Sequence, residues 1–347
     1  MSRKHGLFEV ILVTLTLLMF VAAAVGMIDM TGGGKKSTVA VSTWITQSRG
    51  AVNADRGALV AQKTKIAKMS KAKPESSSVD PQKAVASLAS IDKEKMVHYK
   101  TINDALDIQK KLYEAQAGEE KDTHTLEQSF NDATEKARGS LKELRRLTDE
   151  QVNIYKQTTN DAQAIKTANA TYYTWENAVA GLSAKPLEDA KLTALDKKLH
   201  ESASDAVASA NEEMKSVNPS DVSEEDKMLL KNEILVDGSN VQSDMQSTMK
   251  ELGTVFAEII KIIQTVAGRS GGGSPLGSIG KTFGIGKSVP VDVNMFNVLQ
   301  SFFNLMATQM VSFNDSFGGF MQSAGTLANV QVPQAPVLTV PSFDISK

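Results

Sequence analysis

The 347 residues contain no cysteine. This excludes disulfides, thiolate metal sites, cysteine nucleophiles and lipid attachment through a cysteine. It leaves the redox compartment open, since a cysteine-free chain tolerates oxidising and reducing surroundings alike. Aromatics are scarce, at 5%, which argues against a large mixed α/β core. Histidines are few as well. His5, His98, His124 and His200 are scattered, with no HExxH pair, so no metal site is expected. No serine nucleophile elbow is present. A glycine-rich run carries Gly280-Lys281-Thr282 and Gly286-Lys287-Ser288, which look like the end of a phosphate loop. Such a loop needs a glycine five positions before its GK glycine, where this chain has Pro275 and Lys281. The basic residues of 63–73 lack the aromatic interleaving of a nucleic-acid surface. The expectation is therefore a chain with no catalysis, no cofactor, no metal and no nucleic-acid partner.

What is present begins with an apolar run. Val10 to Ile28 is free of charge, and as a helix it would span about 28 Å, close to the hydrocarbon thickness of a bilayer. A cleaved signal has a shorter apolar core, so 7–30 reads as a retained membrane anchor behind a basic leader, 1–6. The leader loosely resembles that of type IV prepilins, but Glu9 is the third residue after Gly6, where such leaders place a glutamate fifth. Arg3 and Lys4 nearly balance Lys35 and Lys36 across the span. The short leader needs no translocation, which puts the body outside the cytoplasm, in the periplasm or at a cell surface.

Charge is segregated. Residues 1–73 hold eleven Lys and Arg against Glu9, Asp29 and Asp55, while the whole chain is at −2, so the remainder is strongly acidic. Within 39–73, Val41, Trp44, Ile45, Val52, Leu59, Ile66 and Met69 recur at roughly helical spacing among the cations. That pattern suits either a basic amphipathic helix on an anionic membrane surface or a solvated helix with one packed side. After a linker, Asp80-Pro81 reads as an N-cap followed by proline at the first helical position.

Between Pro81 and Gly268 only Pro186 and Pro219 interrupt, and helices are expected over 81–117, 122–182, 186–217 and 221–267. Steps of four and three from Leu126 run through Phe130, Ala133, Ala137, Ser140, Leu144, Leu147, Gln151, Ile154, Thr158, Asp161, Ile165, Ala168, Tyr172, Trp175 and Val179 to Leu182. A 3.5-residue stripe of this length predicts a coiled-coil seam. Core packing then accounts for Tyr172 and Trp175 without a pocket. Leu252, Val255, Ile259 and Ile262 continue the same pattern in the last of these helices. Beyond the glycine-rich run, Phe302, Met306, Met310, Phe313, Phe317 and Phe320 form a second stripe opposite Asn, Gln, Ser and Thr. Such a face is expected to meet like copies, a partner or lipid.

The sequence thus predicts an all-α chain. It divides into a leader (1–6), a transmembrane anchor (7–30), a basic amphipathic segment and linker (31–79), a helical coiled-coil region (80–268), a glycine-rich hinge (269–291), a Phe/Met-rich assembly helix (292–329) and an extended tail (330–347). The expected function is a membrane-anchored, elongated scaffold subunit of a multi-copy envelope or secretion-type assembly, homo-oligomeric or built into a larger complex. The rival is a pore-forming helical toxin or translocator with a cleaved N-terminal signal. A sensor would need a second span and a signalling domain, and neither is evident.

Overall fold

Asp80 accepts a hydrogen bond from the Gln82 backbone N–H and Pro81 fills the first helical position, so α2 (Pro81–Ala117) begins where the sequence places it. This computed structural model describes residues 3–72, 80–118, 123–268 and 293–340, with side chains over 34–69, 80–118, 123–261 and 300–340. Among the described residues every regular element is helical and there is no strand. The helices are α1 (Arg3–Ala72), α2, α3 (His124–Gln157), α4 (Ala162–Ala180), α5 (Asp189–Lys215), α6 (Glu224–Leu229), α7 (Leu235–Gly268) and α8 (Val293–Ala328). A 3₁₀ turn, Pro219–Asp221, precedes α6, and a π turn, Leu230–Ile234, joins α6 to α7.

The second half of α1 is the axis of a bundle, packed against α2, α4, α5, α7 and α8. No residue of 34–66 is exposed. The two readings of 39–73 are therefore corrected: this helix neither lies on a surface nor keeps a solvated side. Its small polar residues pack as apolar ones because their hydroxyls turn back on the helix. Thr38, Ser42, Thr43, Thr46 and Thr64 each donate to the carbonyl four residues earlier.

The expected 122–182 helix is also corrected. It breaks at Thr158–Asp161, where Asn160 turns left-handed (φ 48°) and Asp161 caps α4 by accepting from the Gln163 and Ala164 N–H groups. The chain folds back there, and the Arg145 guanidinium of α3 sits 5.0 Å over the Tyr172 ring of α4. The apolar stripe survives on both arms, but each arm faces its own chain.

Helix α8 lies parallel to α1. Phe313 and Phe320 sit against Gly50 and Gly57, both pairs one heptad apart. A Cβ on Gly50 would lie 2.6 Å from Phe313 Cζ. Gly50→Ala is accordingly expected to lose ~1–2 kcal/mol on urea unfolding, because overpacking a rigid ring outweighs the alanine helix preference. Gly139→Ala, with open space around it, is expected to gain up to ~1 kcal/mol. Residues 330–340 then run back along α8, with Asn314 Nδ2 donating to the Pro336 carbonyl at 2.9 Å.

Residues 7–30 are helical as part of α1 and lie outside the residues whose side chains are described. Among the described residues no helix is long and apolar enough to cross a membrane. The hinge at 269–291 and the side chain of Ile262 also lie outside the described residues.

Candidate functional site

The charge segregation has a structural counterpart. All seven cations between Lys35 and Lys68 are paired with acids from the surrounding elements. Lys35 meets Glu258, Lys36 meets Asp189, and Arg49 bridges Asp237 and Asp244. Arg56 bridges Asp92 and Glu233, and Lys63 meets Asp226 at 2.5 Å. Lys65 meets Asp161 at 2.7 Å and Glu213 at 2.8 Å, and Lys68 meets Asp221. The exposed Lys68 pair contributes little, within ~0–1 kcal/mol. The dry Arg56 and Lys63 pairs fix which helix sits where, since a misplaced helix would leave a buried charge alone.

One pair runs the other way. Asp55, the one acid between Asp29 and Glu75, is buried in α1 and accepts from Lys95 Nζ of α2 at 2.9 Å. Gln151 of α3 donates to the other Asp55 oxygen at 3.1 Å and accepts from Lys95. The Tyr155 hydroxyl accepts from Gln151 at 2.7 Å. Burial, with the Asp55 charge adding to it, pushes the Tyr99 and Tyr155 hydroxyls well above their ordinary range, so both stay protonated donors. This knot ties α1, α2 and α3 at one level.

Two carboxyls on α5 are unusual. Asp196, 0% exposed, accepts from Trp44 Nε1 at 3.1 Å. Burial pushes its carboxyl up to about 7, only partly offset by the indole donor. Glu213 accepts from Gln62 and shares Lys65 with Asp161. Burial raises it to about 7, against the pull of Lys65 and with the added repulsion of Asp161. At Asp161 burial also works upward, but its hydrogen bonds and the Lys65 charge prevail and hold it at about 2.

The unfolded chain releases the Asp196 and Glu213 protons near pH 4, whereas the folded chain keeps both to about 7. Folding therefore takes up protons in that window, and these groups make stability fall as pH rises through it. Asp161 acts oppositely, but only below that window. Asp196→Asn is expected to roughly halve the decline in urea stability between pH 5 and pH 8. At pH 8 it is expected to exceed the parent by on the order of 3 kcal/mol.

The sequence-predicted seam lies inside the chain. Phe130, Leu144, Leu147, Tyr172, Trp175, Val179, Leu252 and Ile259 are buried, and Leu126, Val255, Ile154 and Ile165 are partly buried against the same clusters. The second stripe is buried too. Phe302, Met306, Met310, Phe313, Phe317 and Phe320 are each at most 4% exposed, and Lys36 Nζ sits 4.4 Å over the Phe302 ring. That stripe was expected to meet copies, partner or lipid, and here it meets α1, α5 and α7. Sequence reasoning missed the Asp55 knot, although a lone acid in a basic stretch and Gln151 in an apolar stripe were both visible signals. Among the described residues no group of three or more His, Asp and Glu is arranged to hold a metal.

Compared with protein families, curated proteins and solved structures, the chain matches none.

Proposed function

We propose that this chain is a membrane-anchored, non-catalytic structural subunit whose helical bundle is coupled to its anchor through one helix. The observation that carries the reading is the continuity of α1. The helix runs from the uncharged stretch Val10–Ile28 into the bundle axis, with Gly34 already buried. Six residues separate Ile28 from Gly34, about 9 Å of helix. The bundle would therefore sit at the headgroup layer rather than far from it, and tilting of the anchor would be transmitted to the bundle. The body lies outside the cytoplasm, and the chain works in a multi-copy assembly. Contacts with its neighbours would use faces other than the two apolar stripes, which are consumed within the chain.

The pore-forming reading requires α8 to leave its seat, and the insertion of Phe313 and Phe320 against Gly50 and Gly57 weighs against that. The test compares the full chain with a chain beginning at residue 31. The full chain is expected to stay with membranes through a carbonate wash, and the shorter one to be extracted with unchanged circular dichroism. Single cysteines at Ser2 and Ser220 report the orientation. Impermeant maleimide should reach Ser220→Cys alone on intact cells. A mature N-terminus near Val25 would remove the anchor, and dye release from liposomes by the shorter chain would favour the pore.

A further inference from the structure

Beside the Asp55 knot, α1, α2, α4 and the π turn enclose a cavity of about 390 Å³. An apolar cavity of about 150 Å³ already accommodates a benzene ring, so this one is large enough for a bicyclic molecule. It also falls in the size range of small-molecule sites. Tyr99 and Trp175 wall it as a stacked pair, with centroids 5.4 Å apart and planes at 23°, and Met96 and Val52 complete its apolar lining.

Two polar atoms of lining residues are unsatisfied by the protein. Trp175 is 1% exposed, and its indole N–H has no acceptor. Asn103 Oδ1 is buried and has no donor, while its Nδ2 donates to Asp107 at 3.3 Å. That bond fixes the amide orientation, because turning it would set Oδ1 against a carboxylate. Trp44, the other tryptophan, shows what satisfaction looks like, since its N–H is bonded to Asp196. A buried donor and a buried acceptor at one cavity are costly unless something pairs with them. The arginines at the rim do not call for an anion. Arg49 is already held by Asp237 and Asp244, and Arg56 by Asp92 and Glu233. The π turn that delivers Glu233 is the kind of local widening often found beside binding sites.

We infer that this cavity is a binding site for a small, uncharged, planar ligand of the cyclic amide class. Its carbonyl accepts from Trp175 Nε1, its N–H donates to Asn103 Oδ1, and its ring packs against the aromatic wall. The site is independent of the anchoring function and uses neither apolar stripe for a second protein.

The test uses the chain from residue 31 if it keeps its fold, otherwise the detergent-solubilised full chain, labelled with ¹⁵N-tryptophan. The two indole resonances are assigned with Trp175→Phe. Quinolin-2(1H)-one, a bicyclic lactam, is expected to shift the Trp175 indole proton downfield in a saturable way and to leave the Trp44 resonance in place. Naphthalene, of the same shape but without donor or acceptor, should bind at least 10-fold more weakly, and 2-naphthoate should gain nothing from its charge. Asn103→Ala, at a half-buried position that should not threaten folding, is expected to weaken the lactam at least 5-fold while Trp175 still responds. No saturable shift at millimolar lactam, equal binding of naphthalene, or full affinity in Asn103→Ala would overturn the assignment. Tighter binding of the naphthoate would overturn the ligand class.

Discussion

Lys95→Met is expected to lose about 3–5 kcal/mol of folding stability at neutral pH, the usual cost of leaving one partner of a buried pair alone. Lys95 is 1% exposed and Asp55 is 3% exposed, so neither can recruit solvent without opening the bundle. The methionine fills the space of the lysine stem, which confines the effect to the missing charge and donor. Pairing it with Asp55→Asn should recover most of the loss. The amide needs no counter-charge and can still meet Gln151 and the Tyr99 hydroxyl, which lies 3.4 Å from Asp55. A double-mutant cycle in urea reads the coupling directly. A single-variant loss under ~1 kcal/mol would mean that water reaches the pair.

Truncation after Gly268 is expected to have a larger effect still. The sequence alone suggested that this fragment would be a smaller, well-behaved species. The structure changes that expectation, because α8 brings Phe302, Phe303, Met306, Met310, Phe313, Phe317, Phe320 and Met321 into the core, all nearly inaccessible. At ~1.5–3 kcal/mol for each large apolar side chain buried, their sum exceeds the 5–15 kcal/mol by which a domain is usually stable. The fragment is expected to lose its cooperative melt, bind a hydrophobic dye and aggregate. Supplying residues 293–340 as a separate polypeptide should restore part of the melt. A truncated chain with a sharp, parent-like transition would show that α8 is not integral to the core.

Much of the helical architecture could be read along the chain, and the reasons are local. Asp80-Pro81 and Gly118 mark the ends of α2 through chemistry that acts within one turn. The apolar periodicity correctly identified Leu144, Leu147, Trp175 and Leu252 as buried. What periodicity lacks is the identity of the facing helix, so a stripe satisfied by its own chain reads the same as one satisfied by a copy. The break at Thr158–Asp161 was hidden because those two residues fell on the stripe and passed as tolerated polar interruptions. With Asn160 between them they are turn and cap residues. The basic segment misled for a different reason. Cations are usually taken as solvated, and only the fold shows that an acidic sheath, spread over nearly two hundred residues, closes on them. The cavity was invisible because it depends on Trp175 and Asn103 being brought together from helices far apart in sequence.

The placement of the bundle axis at the front of the chain sets the order in which the molecule can be made. Helix α1 leaves the ribosome first, carrying its cations and glycine seats, while Asp189, Asp237 and Phe313 are still to be translated. For most of synthesis the hub has no spokes, so folding cannot proceed domain-wise from the N-terminus. Closure waits for contacts across more than 250 residues, such as Gly50 with Phe313, and such distant closures slow folding. The nascent chain must therefore keep a glycine-notched, positively charged helix from non-productive encounters until its last helix has emerged.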